Sequence, residues 1–432
     1  MTPVEIGFAG IFLMLALMLL GVHIGLALMI SGFLGFAMIG GWQAALSNMA
    51  LISFDKTNNF HFAVVPFYML MSSFVAASGM GREIYDFGRS IVGQYKGGLA
   101  VATTAGVAVF SAVSGSSLAC CVTFSKIAYP EMKKSGYDEK LALGSICAGA
   151  SMDVMIPPSN AFVIIGILAE LSIGKLFIAG IVPGIVQALG YIILILIWCT
   201  LYPQDAPRGP KSTPREKLID TFKTWPVLVL FLIVMGGIYG GFFTAIEAGA
   251  VGAFFTFIVP LIRGQWTRKR IFDALFDAGK ITAMIILILI GAFVFNAFLA
   301  VTRISFLATD WIIHLPLHPM VILSILMVIY VLLGCIFDIY AILILTIPIV
   351  YPAVEAMGYD LFWWSIVMTF ICEIGFITPP FGLNLFGMAS ALPEVRLGTI
   401  YQSVVPFLVA DAFILAILVA FPWLSLWLIR MM

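Results

Sequence analysis

Charge is what this sequence has least of. Of its 432 residues only 10% are Asp, Glu, Lys or Arg and 62% are hydrophobic, a balance that no soluble domain keeps in solution. The chain is therefore an integral membrane protein. Long polar stretches are scarce too: apolar runs of the ~20 residues needed to span a bilayer recur along the whole chain, leaving no room in it for a sizeable soluble domain. A basic leader is lacking, because the first apolar run, Ile6 to Leu20, is preceded by Glu5 and no Lys or Arg; it is expected to remain as a spanning helix rather than act as a cleaved signal. With 22 acidic and 22 basic residues, net charge points to no partner, and nothing suggests nucleic acid. The four histidines form no HExxH or similar zinc pattern, and Gly-rich phosphate loops are missing, which argues against zinc chemistry and direct ATP drive. The six cysteines show no ligand spacing and are expected as free, buried thiols, Cys120-Cys121 included. Ser114-Gly115-Ser116-Ser117 has no base placed for it, so an intramembrane protease is also set aside.

What is present is proline in pairs. Ile156-Pro157-Pro158-Ser159-Asn160 and Thr378-Pro379-Pro380-Phe381-Gly382 each interrupt a long apolar run, where two missing N–H donors must break the helix. In hydrocarbon such a break survives only where the freed backbone is buried or lines a polar cavity, and paired breaks in two halves point to a mid-membrane binding site. Pro157 and Pro379 lie 222 residues apart, as do Pro130 and Pro352; at that offset Pro130–Pro158 overlies Pro352–Pro380 with six of 29 positions identical, all turn or break residues: Pro130/Pro352, Gly136-Tyr137-Asp138 over Gly358-Tyr359-Asp360, and the proline pairs. This is an internal repeat.

The expected organisation is a first half over 1–201, a basic, proline-rich linker over 202–224, and a second half over 225–432. Spans of about 5–20, 24–40 and 62–80 in the first half leave a polar connection from Gly41 to His61. Arg82, Arg89 and Lys96 recur at seven-residue spacing, as on one face of an interfacial helix. A hairpin at about 98–129, with the serines at its tip, precedes the broken helix 141–172 and a span at 176–201. The second half repeats the order with spans at 226–241, 243–262 and 281–300, a hairpin at about 320–352 with its tip near Gly334–Asp338, the broken helix 361–390 and a terminal span of 398–429. The basic linker and the basic 263–270 loop, two spans apart, both go to the cytoplasmic side. The second hairpin then enters from the opposite face to the first, and the halves are inverted. The fold class is all-α: about ten transmembrane helices in an inverted-topology repeat plus two re-entrant hairpins.

Hairpin tips meeting at the midplane bring helix N-termini, which favour an anion, beside freed carbonyls and hydroxyls, which suit a hard monovalent cation. An anion co-transported with Na+ is the expectation. Ser114, Ser116, Ser117 and Ser159 supply oxygens in the first half, Asp338 and Thr378 with Asn384 in the second, although any one serine serves equally well for close helix packing. Asp338 overlies Ser116 in the repeat and is a cation-coupling candidate. Asp153 and Glu373 are further intramembrane acids, Glu247 is read as a helix cap, and Asp411 as a surface residue of the last helix.

Ser114-Gly115-Ser116-Ser117, Ile156-Pro157-Pro158-Ser159, Gly236-Gly237-Ile238-Tyr239-Gly240-Gly241-Phe242-Phe243-Thr244 and Thr378-Pro379-Pro380-Phe381-Gly382-Leu383-Asn384-Leu385-Phe386 resemble the large membrane (M) subunit of TRAP transporters, the tripartite ATP-independent periplasmic family, along nearly the whole chain. The resemblance implies an elevator-type secondary transporter in a bacterial inner membrane, driven by Na+. It also implies a separate small four-helix membrane (Q) subunit and a periplasmic substrate-binding (P) protein that delivers an organic acid. On this resemblance one Na+ site comprises Ser114, Gly115 and Ser117 with Pro157, a second Gly334, Asp338 and Thr378 with Pro379, and Ser116, Ser159, Asn160, Asp153, Gly382 and Asn384 are left to meet substrate. Two departures stand out. Phe243-Thr244-Ala245-Ile246-Glu247-Ala248 has no proline where the family commonly has one, and Asp153 replaces a small residue, often Gly, which makes it a candidate for substrate selectivity. Rival expectations are a stand-alone Na+-coupled carboxylate carrier of the same architecture, and a channel or structural subunit, which has no need of paired midplane breaks.

Overall fold

The computed structural model describes residues 2–431, and of Lys56 the backbone alone. The first half runs α1 (Pro3–Leu19), α2 (Ile24–Gly40), α3 (Trp42–Thr57), α4 (Val64–Ser78), α5 (Met80–Val92), α6 (Gly98–Ser114), α7 (Ser117–Lys134), α8 (Glu139–Ser151), α9 (Asn160–Leu168) and α10 (Ile173–Leu201). The second runs α11 (Pro214–Tyr239), α12 (Ala245–Ile262), α13 (Arg268–Thr302), α14 (Ile304–Ile313), α15 (Pro319–Ile336), α16 (Ile339–Ala356), α17 (Leu361–Ile377), α18 (Leu383–Ala391), α19 (Leu397–Ala420) and α20 (Trp423–Arg430). No strand occurs among the described residues. Among the described residues eight helices have the length and apolarity to cross a membrane, α15 and α16 of the second hairpin included. Setting that pair aside and adding the slightly shorter α1 and α2 and the broken pairs α8–α9 and α17–α18 gives ten crossings plus two hairpins.

The 222-residue offset holds in the helix boundaries. It carries Ser117 to Ile339 and Lys134 to Ala356, the two ends of α7 and α16, and Glu139 to Leu361, the first residues of α8 and α17. It also carries Gly40, the end of α2, to Ile262, the end of α12. The repeated Gly-Tyr-Asp triplet shows why. Gly136 and Gly358 take φ +78° and +84°, a left-handed conformation that glycine adopts without penalty. Asp138 then caps α8 by accepting from the Lys140 and Leu141 N–H groups, and Asp360 caps α17 from Phe362 and Trp363, meeting two of the orphan donors at each helix start. Tyr137 accepts from Leu99 N–H at 3.1 Å, tying this turn to the start of α6, and burial pushes its phenol up to about 12.

Several boundaries differ from those expected. The stretch from Gly41 to His61 contains the helix α3, whose apolar Trp42, Leu46, Leu51 and Phe54 are exposed; Asp55, Asn58 and Asn59 gather at its end and mask its helical character in the sequence. The linker stops at Thr213, which forms a capping box with Glu216 and starts α11 on Pro214. The basic loop likewise ends at Thr267, the N-cap of a 35-residue α13. Lys96 lies past the end of α5, while Arg82 and Arg89 both reach Glu131 from one face of it. Phe421-Pro422 divides the terminal span into α19 and α20, because proline cannot continue the α19 ladder.

The two halves interlock through a frame. Helix α2 packs on α13, and α4 on α12 and α13. The first contact is backbone to backbone: a Cβ on Gly25 would stand 2.9 Å from Leu287 and Ile288 main-chain atoms, and one on Gly32 2.8 Å from those of Phe295, the close approach that small residues permit between membrane helices. The two hairpins, two broken helices, α10 and α19 pack into a second bundle. At one end the charges converge. Arg263 donates to Glu83 at 3.0 Å and to the Lys223 carbonyl at 2.8 Å, Thr224 donates to the Glu83 carbonyl, and Gly209 N–H reaches the Gly93 carbonyl. The linker, the 263–270 loop and the helix α5 therefore share one end of the molecule.

Candidate functional site

Four helix N-termini converge on one small cavity of about 90 Å³. They belong to α7 and α16, the second arms of the two hairpins, and to α9 and α18, which resume after the two proline breaks. Both prolyl bonds, Pro157-Pro158 and Pro379-Pro380, are cis. Each hairpin tip is a two-residue turn, Gly115-Ser116 and Phe337-Asp338. The tip residue caps its own helix: Ser116 Oγ accepts from Ala119 N–H at 3.3 Å, and Asp338 Oδ1 from Ala341 N–H at 2.9 Å. The caps of α9 and α18, Ser159 and Gly382, offer no side-chain bond, so the N–H groups of those two helices keep their partial positive charge toward the cavity.

Of the residues singled out in the sequence, Gly115, Ser116, Ser117, Asp153, Ser159, Asn160 and Asp338 line this cavity together, joined by Tyr340, Phe376 and Leu383. Asn160 Nδ2 donates to the Gly115 carbonyl at 2.8 Å and clamps the first tip to the first break. Ser117 crosses the halves: its hydroxyl donates to the Ala150 carbonyl at 3.0 Å and accepts from Asn384 Nδ2 at 2.6 Å. Asn384 is thus one residue behind the lining, as a clamp. The others point elsewhere. Ser114 Oγ lies 2.7 Å from Cys120 Sγ, inside its own hairpin. Thr378 returns its hydroxyl to the Ile374 carbonyl at 2.6 Å. Pro157, Pro379 and Gly382 shape the breaks without lining the cavity. Gly334, one turn before the second tip, is sealed against α17, since a Cβ on Gly375 would stand 2.5 Å from its Cα.

Behind the cavity is a buried polar chain that the sequence did not announce. Gln187 Nε2 donates to Glu373 Oε2 at 3.0 Å, and Tyr191 OH donates to Asp411 Oδ1 at 2.7 Å, with Gln187 and Tyr191 themselves 3.2 Å apart. Asp411 is 1% exposed and so is no surface residue: α19 turns it inward to meet the phenol on α10. Glu247, by contrast, is an exposed member of a capping box with Thr244, the role expected of it. Tyr401 OH donates to the Pro380 carbonyl at 2.7 Å and fastens the second break. A lone amide in an apolar helix, as Gln187 is, was the available signal; Tyr340 and Tyr401 had none.

Comparison with known proteins finds relatives along nearly the whole chain. A family model described as "Tripartite ATP-independent periplasmic transporter, DctM component" matches residues 11–424. The C4-dicarboxylate TRAP transporter large permease protein DctM of Pseudomonas aeruginosa is 32% identical over 88% of this chain and 89% of its own length. The isethionate TRAP transporter permease protein DctMQ of Oleidesulfovibrio alaskensis is 29% identical over 96% of this chain, which spans 64% of that longer protein. Among solved structures the YdaH transporter of Alcanivorax borkumensis superposes with TM-score 0.60 at 15% identity, covering 91% of this chain and 86% of that one, a likeness of fold.

Proposed function

This chain belongs to the DctM-component family of tripartite ATP-independent periplasmic transporters, the large permease proteins of the inner membrane, and from that membership we propose that it imports an organic acid anion by secondary active transport coupled to a Na+ gradient. A periplasmic binding protein delivers the substrate, and a small membrane subunit completes the assembly. The observation that carries this reading is the convergence of four helix N-termini, drawn from both halves, on one small cavity. Such ends offer backbone N–H groups and partial positive charge to an anion. The site is read as non-catalytic in keeping with its relatives, which are transporter permease proteins.

Na+ is cargo here, and the first-half residues suit it. Helix α6 ends at the first tip with carbonyls of its last turn lacking intrahelical partners, and the tip carries the Gly115 backbone and Ser117 hydroxyl; oxygens of this kind suit a hard cation. In the second half Asp338 suits the role, whereas Gly334 acts by letting α15 approach α17. The bundle of hairpins and broken helices moves as one body against the frame of α1–α4 and α11–α13, an elevator motion supported by the backbone-to-backbone seam that holds α2 on α13. The test is uptake of a radiolabelled organic-acid panel into proteoliposomes with the binding protein and small subunit added or omitted. Uptake that needs all three proteins and an inward Na+ gradient is expected. Uptake by this chain alone identifies a stand-alone carrier, and uptake indifferent to Na+ overturns the coupling.

A further inference from the structure

The cavity that favours an anion at its helix ends is acidic at its side chains. Asp153 and Asp338 both line it, and among the described residues no lysine, arginine or histidine does. Asp338 is occupied as the cap of α16. Asp153 is not a cap. It follows the end of α8, is 4% exposed, faces the Ser117 amide and hydroxyl, and leaves its Oδ1 with no partner among the described residues. A buried carboxylate oxygen without a partner is costly and calls for positive charge beside it.

The fold itself does not require this acid. The repeat places Asp153 over Gly375, and at Gly375 a Cβ would meet the Gly334 backbone at 2.5 Å. The second broken helix therefore runs through the equivalent point with no side chain at all. Asp153 is an addition to one half, aimed at the shared cavity, and a plain carboxylate or sulfonate bound at the helix N-termini would be held against it.

We propose that the substrate is a zwitterion: an organic acid that also bears an ammonium group, its carboxylate received by the uncapped N-termini of α9 and α18 and its cationic group by Asp153 Oδ1. This rests on the transport reading above and names its substrate class. Asp153 is then a specificity-determining residue.

The test uses the full chain with its partner proteins in proteoliposomes, and zwitterions matched one for one with isosteres lacking the charge: glycine betaine against 3,3-dimethylbutanoate, aspartate against methylsuccinate, β-alanine against butanoate, within a wider panel of both kinds. In each pair that competes, the zwitterion is expected to be the stronger by at least about thirtyfold, the scale of a desolvated charge pair losing one partner. Asp153→Asn should abolish that preference while leaving the Na+ concentration for half-maximal uptake unchanged. Direct binding to the purified chain, read as ligand-induced thermal protection, repeats the wild-type comparison without a variant. Plain acids that match or exceed their zwitterionic partners overturn the proposal and leave the transport reading intact. So does an Asp153→Asn variant whose Na+ dependence shifts while its substrate preference stays, since Asp153 would then hold the coupling ion. If no acid of either kind is taken up, the transport reading fails, and this inference with it.

Discussion

The seam between α15 and α17 allows a sharp test, because it is made of two glycines. A methyl added at Gly375 would stand 2.5 Å from Gly334 Cα, 2.6 Å from its carbonyl carbon and 3.0 Å from Cys335 N, all main-chain atoms, against 3.4 Å for an ordinary contact. No side chain can swing aside, so α15 must retreat by about 1 Å. Overpacking of this kind costs about 1–3 kcal/mol, and backbone on the far side puts the cost near the upper end; the ~1 kcal/mol of helix propensity that alanine gains over glycine offsets only part of it. The same retreat displaces the second hairpin tip, four residues beyond Gly334, from its place at the cavity. Misplacement by ~1 Å of a group that must be held in place costs on the order of 10²-fold in rate. Gly375→Ala should therefore melt measurably lower in detergent and lose most of its uptake in proteoliposomes. Gly236→Ala is the control: it lies in α11 with nothing within 4 Å of its Cβ position and should be neutral or slightly stabilising. Wild-type melting and uptake for Gly375→Ala would refute the close approach and the positioning drawn from it.

Two further perturbations probe the polar clamps. Ser117→Ala and Asn384→Ala each remove one side of the hydrogen bond that joins the two halves. In a double-mutant cycle their melting shifts should be non-additive by about 0.5–3 kcal/mol, as for residues sharing one bond, and strict additivity would show that the pair does not act as a clamp. Tyr191→Phe deletes the donor to Asp411 and strands a buried acceptor, at a cost of about 1–3 kcal/mol; adding Asp411→Leu should recover part of the loss, because removing both partners avoids the stranded group, and a further fall in melting temperature for the pair would count against that account.

What the sequence revealed and what it hid divide by distance along the chain. The proline breaks, the hairpin tips and the Gly-Tyr-Asp turns are local devices whose chemistry is complete within a few residues, and the 222-residue repeat multiplied their signal. The cavity lining followed from them, because Ser116, Ser159 and Asp338 sit at helix starts fixed by those devices. The buried chain was hidden because its partners are remote: Gln187 and Glu373 are 186 residues apart and Tyr191 and Asp411 are 220 apart, and no local pattern marks either pair. Side-chain direction was hidden as well. Ser114 and Ser117 look equivalent in the run of serines, yet one turns back to Cys120 and the other across to Asn384. Helix α3 was obscured because its polar residues gather at the end that meets Asn58-Asn59.

The places where the two halves differ carry as much meaning as the places where they agree. Agreement covers the frame: α2 on α13 and α12 on α4 are the same contact seen from opposite halves, since the offset takes α2 to α12 and α4 into α13. A symmetric frame of this kind treats its two faces alike, which is what the proposed elevator motion requires of the part that stays still. A cavity built with the same symmetry would hold only a ligand indifferent to its own orientation. This one is not so built: Ser116 stands where the other half has Asp338, and Asp153 where it has Gly375. The differences at the tips and breaks give the cavity polarity, and under the proposed transport role they give it the means to bind a small ion one way round.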